Sequence, residues 1–136
     1  MARVFVDTNV FLRHVMEDHA LHSPLAKAFF VRVERGEVRA RTADTVIFEA
    51  VFTLEKQYRK SRDEIRENLL LLLELPAIEL PEKHRVRRAF DLYVDINISF
   101  ADAYHVALME QLGIEEIASF DKDFDRVPGI TRVEPS

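Results

Sequence analysis

Short apolar runs recur along this chain between longer stretches of helical periodicity, and that alternation limits the fold more than any other feature. The first run, Val4-Phe5-Val6, is uninterrupted and stops at Asp7. A strand with no polar alternation is expected inside a parallel sheet, covered on both faces. Helical patterns follow over Val10 to His19 and from Ser23-Pro24 towards Gly36, where serine caps and proline occupies the first turn. Val38 to Thr42 reads as a second strand, then Ala43 to Arg59 as a helix with Ile47, Val51, Leu54 and Tyr58 along one stripe.

Ser61, with Glu64 three residues on, has the spacing of a capping box for a helix running to Pro76. Ala77 to Leu80 is a short strand, Glu82 to Val94 a helix, and Ser99 opens a further helix that ends near Gly113. Ile117-Ala118-Ser119-Phe120 and Ile130 to Glu134 read as the last strands. Strands alternating with helices argue for an α/β fold with a mainly parallel sheet and more helix than strand. At 136 residues, with no repeat or linker, residues 1–136 are expected to form a single domain.

The absence of cysteine excludes disulfides and thiolate metal sites and suits a reducing cytoplasm. Met1-Ala2-Arg3-Val4-Phe5-Val6-Asp7 lacks a basic region followed by a long apolar stretch, so no signal peptide is expected. The longest apolar run, Leu69 to Leu73, is too short to span a bilayer, and no membrane partner is expected. The formal net charge of −5 runs against simple polyanion binding, yet the basic residues are grouped. Lys56, Arg59, Lys60 and Arg62 form one group; Lys83, His84, Arg85, Arg87 and Arg88 form another. Either group could be a solvated helix face or a surface for phosphates or a partner.

Four acids occupy positions where chemistry is expected. Asp7 follows the first strand, and ligands of parallel sheets collect beyond the strands' carboxyl ends; it could equally cap the next helix. Glu49 lies in Val46-Ile47-Phe48-Glu49-Ala50-Val51-Phe52, where an unpaired buried charge is costly and must find a cation, a proton or a cleft. Asp102 stands three residues after Ser99, at capping-box spacing. Asp121 follows the strand Ile117–Phe120 much as Asp7 follows the first, with Asp123 and Asp125 beyond it. The alternating aspartates lack the glycine and closing glutamate of a helix-loop-helix calcium site.

Taken in order, these motifs resemble the PIN-domain family, and especially the VapC-type toxins of prokaryotic toxin–antitoxin pairs. Val4-Phe5-Val6-Asp7-Thr8-Asn9 looks like the family's opening strand and aspartate, and Glu49 matches its helical glutamate. Ser99-Phe100-Ala101-Asp102-Ala103 looks like the third acidic motif and Ser119-Phe120-Asp121-Lys122-Asp123-Phe124 like the fourth. The resemblance spans nearly the whole chain. It implies a three-layer α/β/α PIN-like domain with about five strands, and a ribonuclease dependent on Mg²⁺ or Mn²⁺. It further implies a homodimer and a VapB-type antitoxin that occupies the acidic groove.

On that footing Asp7, Glu49 and Asp102 hold the better-occupied metal and Asp121 completes the site or positions a second ion. Thr8, Asn9, Ser99 and Ser119 would orient the ligands, with Asp123 accessory or structural. His105, one turn beyond Asp102, is within reach of the site but has the character of a packed surface histidine. Arg39, Arg41 and the Lys56-to-Arg62 group are candidates for holding RNA phosphates. The competing readings are a PIN nuclease of RNA processing that is not a toxin, and a non-catalytic module that binds through its acidic pocket. A dehalogenase-type phosphatase expects a second aspartate where Asn9 stands, and a receiver domain expects an acidic neighbour that Asp7 lacks.

Overall fold

The apolar runs form strands and the periodic stretches form helices in the order the sequence suggests. The structure, a computed structural model, describes residues 3–136. Met1 and Ala2, which open the amino-terminal run read above, lie outside the described residues. The chain divides into two compact units, one ending at Lys83 and the other spanning His84–Ser136. The first contains β1 (Arg3–Phe5), α1 (Thr8–Met16), α2 (His22–Glu34), β2 (Arg39–Arg41), α3 (Asp44–Lys56), α4 (Arg62–Leu73) and β3 (Ile78–Glu79). The second contains nearly all of α5 (Lys83–Asp95), then α6 (Phe100–Leu112), β4 (Glu116–Ala118), a short 3-10 helix (Lys122–Arg126) and β5 (Thr131–Val133).

Every strand pairing among the described residues is parallel, so the α/β class and parallel sheet are as expected, with three strands in one unit and two in the other. In the first unit the order is β1-β2-β3, with Arg3 opposite Arg39 and Ala40 opposite Ile78. The ladder runs on past β1, because Val6 N–H donates to Arg41 O at 2.8 Å and the buried Thr42 hydroxyl donates to Val6 O at 3.2 Å. Glu79 accepts from Arg3 at 2.8 Å and from Arg39 at 2.5 Å, and the two guanidiniums hold its carboxyl below the usual range.

One expectation needs correction. β1 stands at the edge of its three-stranded sheet, and Val4 and Phe5 are exposed rather than covered on both faces. Apolarity along a strand reports what its residues tolerate, not how many neighbours the strand acquires.

Helix α3 illustrates how packing overrides local preference. Thr45, Val46, Ile47, Val51 and Thr53 are β-branched, each costing up to about 0.7 kcal/mol in a helix. Ile47, Val51 and Leu54 are almost wholly buried, and burial of each contributes roughly 1.5–3 kcal/mol, which outweighs that cost. The stripe read from sequence is therefore the buried face as far as Leu54, with Tyr58 only half-buried. In the second unit, Phe90 and Tyr93 of α5 meet Phe100 at ring distances of 4.7 and 5.7 Å, and Glu110 on α6 accepts from Arg88. Among the described residues no helix is long and apolar enough to cross a membrane.

The helix ends follow the local signals only in part. Ser61 and Ser99 cap as read, each accepting from the backbone N–H three residues on, and Gly113 ends α6 in the left-handed conformation. Ser23 does not cap α2: its hydroxyl accepts from His19 N–H, while His19 Nδ1 accepts from Leu21 and His22 N–H at 3.3 and 2.9 Å. Helix α1 stops three residues earlier than its pattern suggests, because Glu17 turns left-handed at φ 54°.

His14, on α1, packs its ring 5.0 Å from Phe30, and its buried Nδ1 finds no hydrogen-bond partner among the described residues. Burial, with Lys27 adding to it and Glu17 opposing, lowers its pKa below the ordinary 6.5. The neutral ring is thus favoured by folding, so the stability it contributes is complete above about pH 6.5 and declines as pH falls through that value. Urea unfolding at pH 7.5 and 5.5 should show a lower midpoint in acid, and His14→Leu should reduce that difference. An unchanged pH dependence in the variant would show that His14 does not titrate with unfolding.

Candidate metal and nucleic-acid site

Asp7 occupies the N-cap position of α1 with extended backbone (φ −81°, ψ 162°), yet its carboxylate makes no capping hydrogen bond. The capping role open to it from sequence is therefore not taken by the side chain, which stays exposed. Thr8, the next residue, is buried, and its hydroxyl donates to Glu49 Oε2 at 3.0 Å. That bond joins the start of α1 to α3 and brings Glu49 to the residue beside Asp7.

Glu49 itself is exposed. The costly buried charge expected from its apolar surroundings does not arise, because its side of α3 is open: Phe52, three residues on, is 60% exposed. What distinguishes Glu49 is its hydroxyl partner across two helices, which no local pattern could disclose.

Asp102 is half-buried in the first turn of α6, and its N–H donates to Ser99 Oγ at 3.1 Å. Asp121 precedes the 3-10 helix in a turn held at several points. Ser119 Oγ accepts from Asp121 N–H at 3.0 Å, Asp121 Oδ1 accepts from Asp123 N–H at 2.9 Å, and Ser119 N–H donates to Val133 O at 3.0 Å. Ser99 and Ser119 thus orient the backbone around these acids rather than the carboxylates directly.

The charge pattern of this turn separates its three aspartates. Asp123 pairs with Arg126 at 3.4 Å and Asp125 with Arg132 at 3.0 Å. Asp121 has no basic partner among the described residues, and the same holds for Asp7, Glu49 and Asp102. Hard carboxylate oxygens without a protein cation suit Mg²⁺ or Mn²⁺, so the donor chemistry fits such an ion. Asp7 and Glu49 belong to the first unit and Asp102 and Asp121 to the second, and among the described residues no three histidine or acidic side chains are gathered closely enough to hold a metal ion.

The basic groups are largely engaged. Lys60 pairs with Glu64 and Arg62 with Glu55, both at 3.5 Å; Arg85 donates to Gln111 and Arg88 to Glu110. Arg39 is held by Glu79, and Arg41 donates to Thr42 O. Lys56 and Arg59 stay exposed without an ion pair among the described residues. His105 is exposed on α6. A groove of about 510 Å³ beside Asn9 is lined chiefly by apolar residues such as Val4, Phe5, Val10 and Leu25, and none of the four acids lines it.

Sequence reading missed Phe120. Strand β4 ends at Ala118, two residues short of the expected end, so Phe120 lies outside it and is 74% exposed next to Asp121. The available signal was an aromatic ring between Ser119 and Asp121 with no apolar partner in its own segment.

Comparison with known proteins places these features. The family model of the PIN domain matches residues 4–130, across both units. A VapC ribonuclease of Aquifex aeolicus (strain VF5) is 26% identical over 130 residues, covering 96% of this chain and 95% of that protein. The crystal structure of Mycobacterium tuberculosis VapC20, described as a sarcin-ricin loop cleaving toxin, aligns with 97% of this chain and 99% of its own, at 23% identity and a TM-score of 0.40.

The Thr8–Glu49 bond can be tested by stability alone. Thr8→Val keeps the shape and removes the hydroxyl, and a hydrogen bond to a charged group is worth about 1.5–3 kcal/mol. Urea unfolding should show a loss of roughly that size, with Thr8→Ser closer to the parent. Equal stability of the valine and parent proteins would mean that the bond contributes nothing.

Proposed function

The chain belongs to the PIN-domain family, and from that premise we propose that it is a divalent-metal-dependent endoribonuclease whose metal-binding acids are Asp7, Glu49, Asp102 and Asp121. The observation that carries this reading is the charge pattern: among the described residues these four carboxylates have no basic partner, whereas Asp123 and Asp125 beside one of them are neutralised by arginines. The VapC ribonuclease relative supports RNA as the substrate.

A bound Mg²⁺ or Mn²⁺ ion supplies charge stabilisation and an activated water for in-line attack on a phosphodiester. The protein's own residues prepare for that chemistry. Thr8 fixes one oxygen of Glu49 and leaves the other open to a ligand. The Ser119 and Asp123 backbone bonds set the position of Asp121. Lys56 and Arg59, exposed and without an ion pair among the described residues, are placed to meet phosphates.

The toxin role, a VapB-type antitoxin, homodimer formation and a cytoplasmic location are part of the same proposal, supported by the relative's name and the motif order. An adjacent reading frame for a small DNA-binding protein would favour the toxin over a nuclease of RNA processing.

The purified chain should cut RNA with Mg²⁺ or Mn²⁺ and not with EDTA, and Asp7→Asn should remove that cutting. Full activity in the variant would defeat the assignment. Asp121→Asn should cost more than about a hundredfold, while Asp123→Asn, which alters only supporting contacts, should cost about tenfold or less. Equal losses at the two positions would place both among the ligands.

A further inference from the structure

Phe120 has the greatest exposure of the large hydrophobic side chains identified as exposed among the described residues, at 74%. A single exposed apolar residue is ordinary on a surface. This one differs in its support and in its neighbours. The backbone on either side is fixed: Ser119 N–H donates to Val133 O, Arg132 donates to Ser119 O at 3.2 Å, and Asp121 N–H donates to Ser119 Oγ. Arg132 is in turn locked by Asp125 and Glu134. The ring is therefore displayed on a braced turn, and its display does not depend on a loose loop.

The residues on either side of it and those that follow are polar, namely Ser119, Asp121, Lys122 and Asp123, while Ala118 lies two residues before it. A protein partner's apolar side chain would need a contiguous apolar patch, and on the Asp121 side of the ring the segment provides only polar residues. A nucleobase needs only a flat ring face, and stacking on an aromatic tolerates polar surroundings because the base edge is polar. Lys122, exposed and without an ion pair among the described residues, is two residues from Phe120, a chain reach of at most about 7 Å. An aromatic ring and an ammonium group without an ion pair among the described residues thus stand on either side of Asp121 in sequence, the kinds of group that a base and an adjoining phosphate would meet.

We propose that Phe120 stacks on an unpaired base of the RNA substrate and that Lys122 binds an adjoining phosphate, so that the enzyme takes single-stranded or looped nucleotides beside Asp121. This rests on the ribonuclease reading above. A base inside a duplex keeps both faces covered by its neighbours, so a ring on this turn selects for strands whose bases are already unstacked.

The test uses a fluorescein-labelled single-stranded RNA of mixed sequence, with kinetics in the otherwise unaltered full chain and anisotropy in the Asp7→Asn background, where the RNA is not consumed. Phe120→Ala and Phe120→Leu should each weaken binding and raise KM by about tenfold to a hundredfold with kcat nearly kept, as expected for loss of one stacked base. Phe120→Trp should stay near the parent, and Lys122→Ala should lower the salt dependence by about one phosphate contact. Circular dichroism and the thermal midpoint should be unchanged in all, since the ring is exposed. Recovery by leucine would overturn stacking in favour of general apolar contact. Unchanged KM and affinity in the alanine and leucine variants of a protein that does cut RNA would overturn this inference alone. A parent protein that neither binds nor cuts RNA would bring down the ribonuclease reading, and this inference with it.

Discussion

Two parallel strands cannot be joined by a tight turn, and that restriction governs where everything in this chain can lie. A parallel pair needs a crossover long enough to bring the chain back to its starting side, and helices are the economical way to make one. Here β1 reaches β2 through α1 and α2, and β2 reaches β3 through α3 and α4. Within the first unit each strand then points the same way, so the chain leaves β1, β2 and β3 in the same direction. Asp7 stands where β1 gives way to α1, and Asp121 in the turn that leads from β4 to the short helix. These two acids thus stand at the exits of their own strands, while Glu49 and Asp102 are carried by helices α3 and α6.

Charge distribution supplies the second level of organisation. The net charge of −5 would repel a polyanion if it were spread evenly, but most arginines are tied to particular carboxylates. Such pairing cancels charge locally and leaves the remaining acids and cations to define the field. Among the described residues the carboxylates without a basic partner include Asp7, Glu49, Asp102 and Asp121, and the cations without an ion pair include Lys56, Arg59 and Lys122. Exposed ion pairs contribute little to stability, typically below about 1 kcal/mol. Their larger effect here is to decide which acids are open to a ligand.

The sequence disclosed what is encoded within a few residues. Ser61 and Ser99 cap as their spacing suggests, Gly113 ends its helix, and the alternation of apolar runs with helical periods specifies the α/β class. It failed where a residue took a role that its type does not usually signal, or where the outcome depends on a distant partner. His19 takes the cap that Ser23 was expected to provide, since the imidazole nitrogen reaches two N–H groups at once. Glu17 adopts a left-handed conformation without the glycine that normally signals it. The four acids were singled out by position and motif order, but the difference between Asp121 and Asp125 was not legible. It depends on Arg132, which lies on β5 and meets the turn only after the chain has folded.

The parallel arrangement also has a consequence for the chain as it is made. Arg3 pairs with Arg39 and Ala40 with Ile78, so neither pairing can form until a long stretch has followed the earlier strand. Contacts of that separation are entropically expensive to close and slow to form. During synthesis β1 therefore emerges first and waits, its apolar Val4 and Phe5 without a ladder partner until Arg41 has left the ribosome. The same residues that begin the sheet are for that interval an uncovered strand edge, open to pairing with another chain.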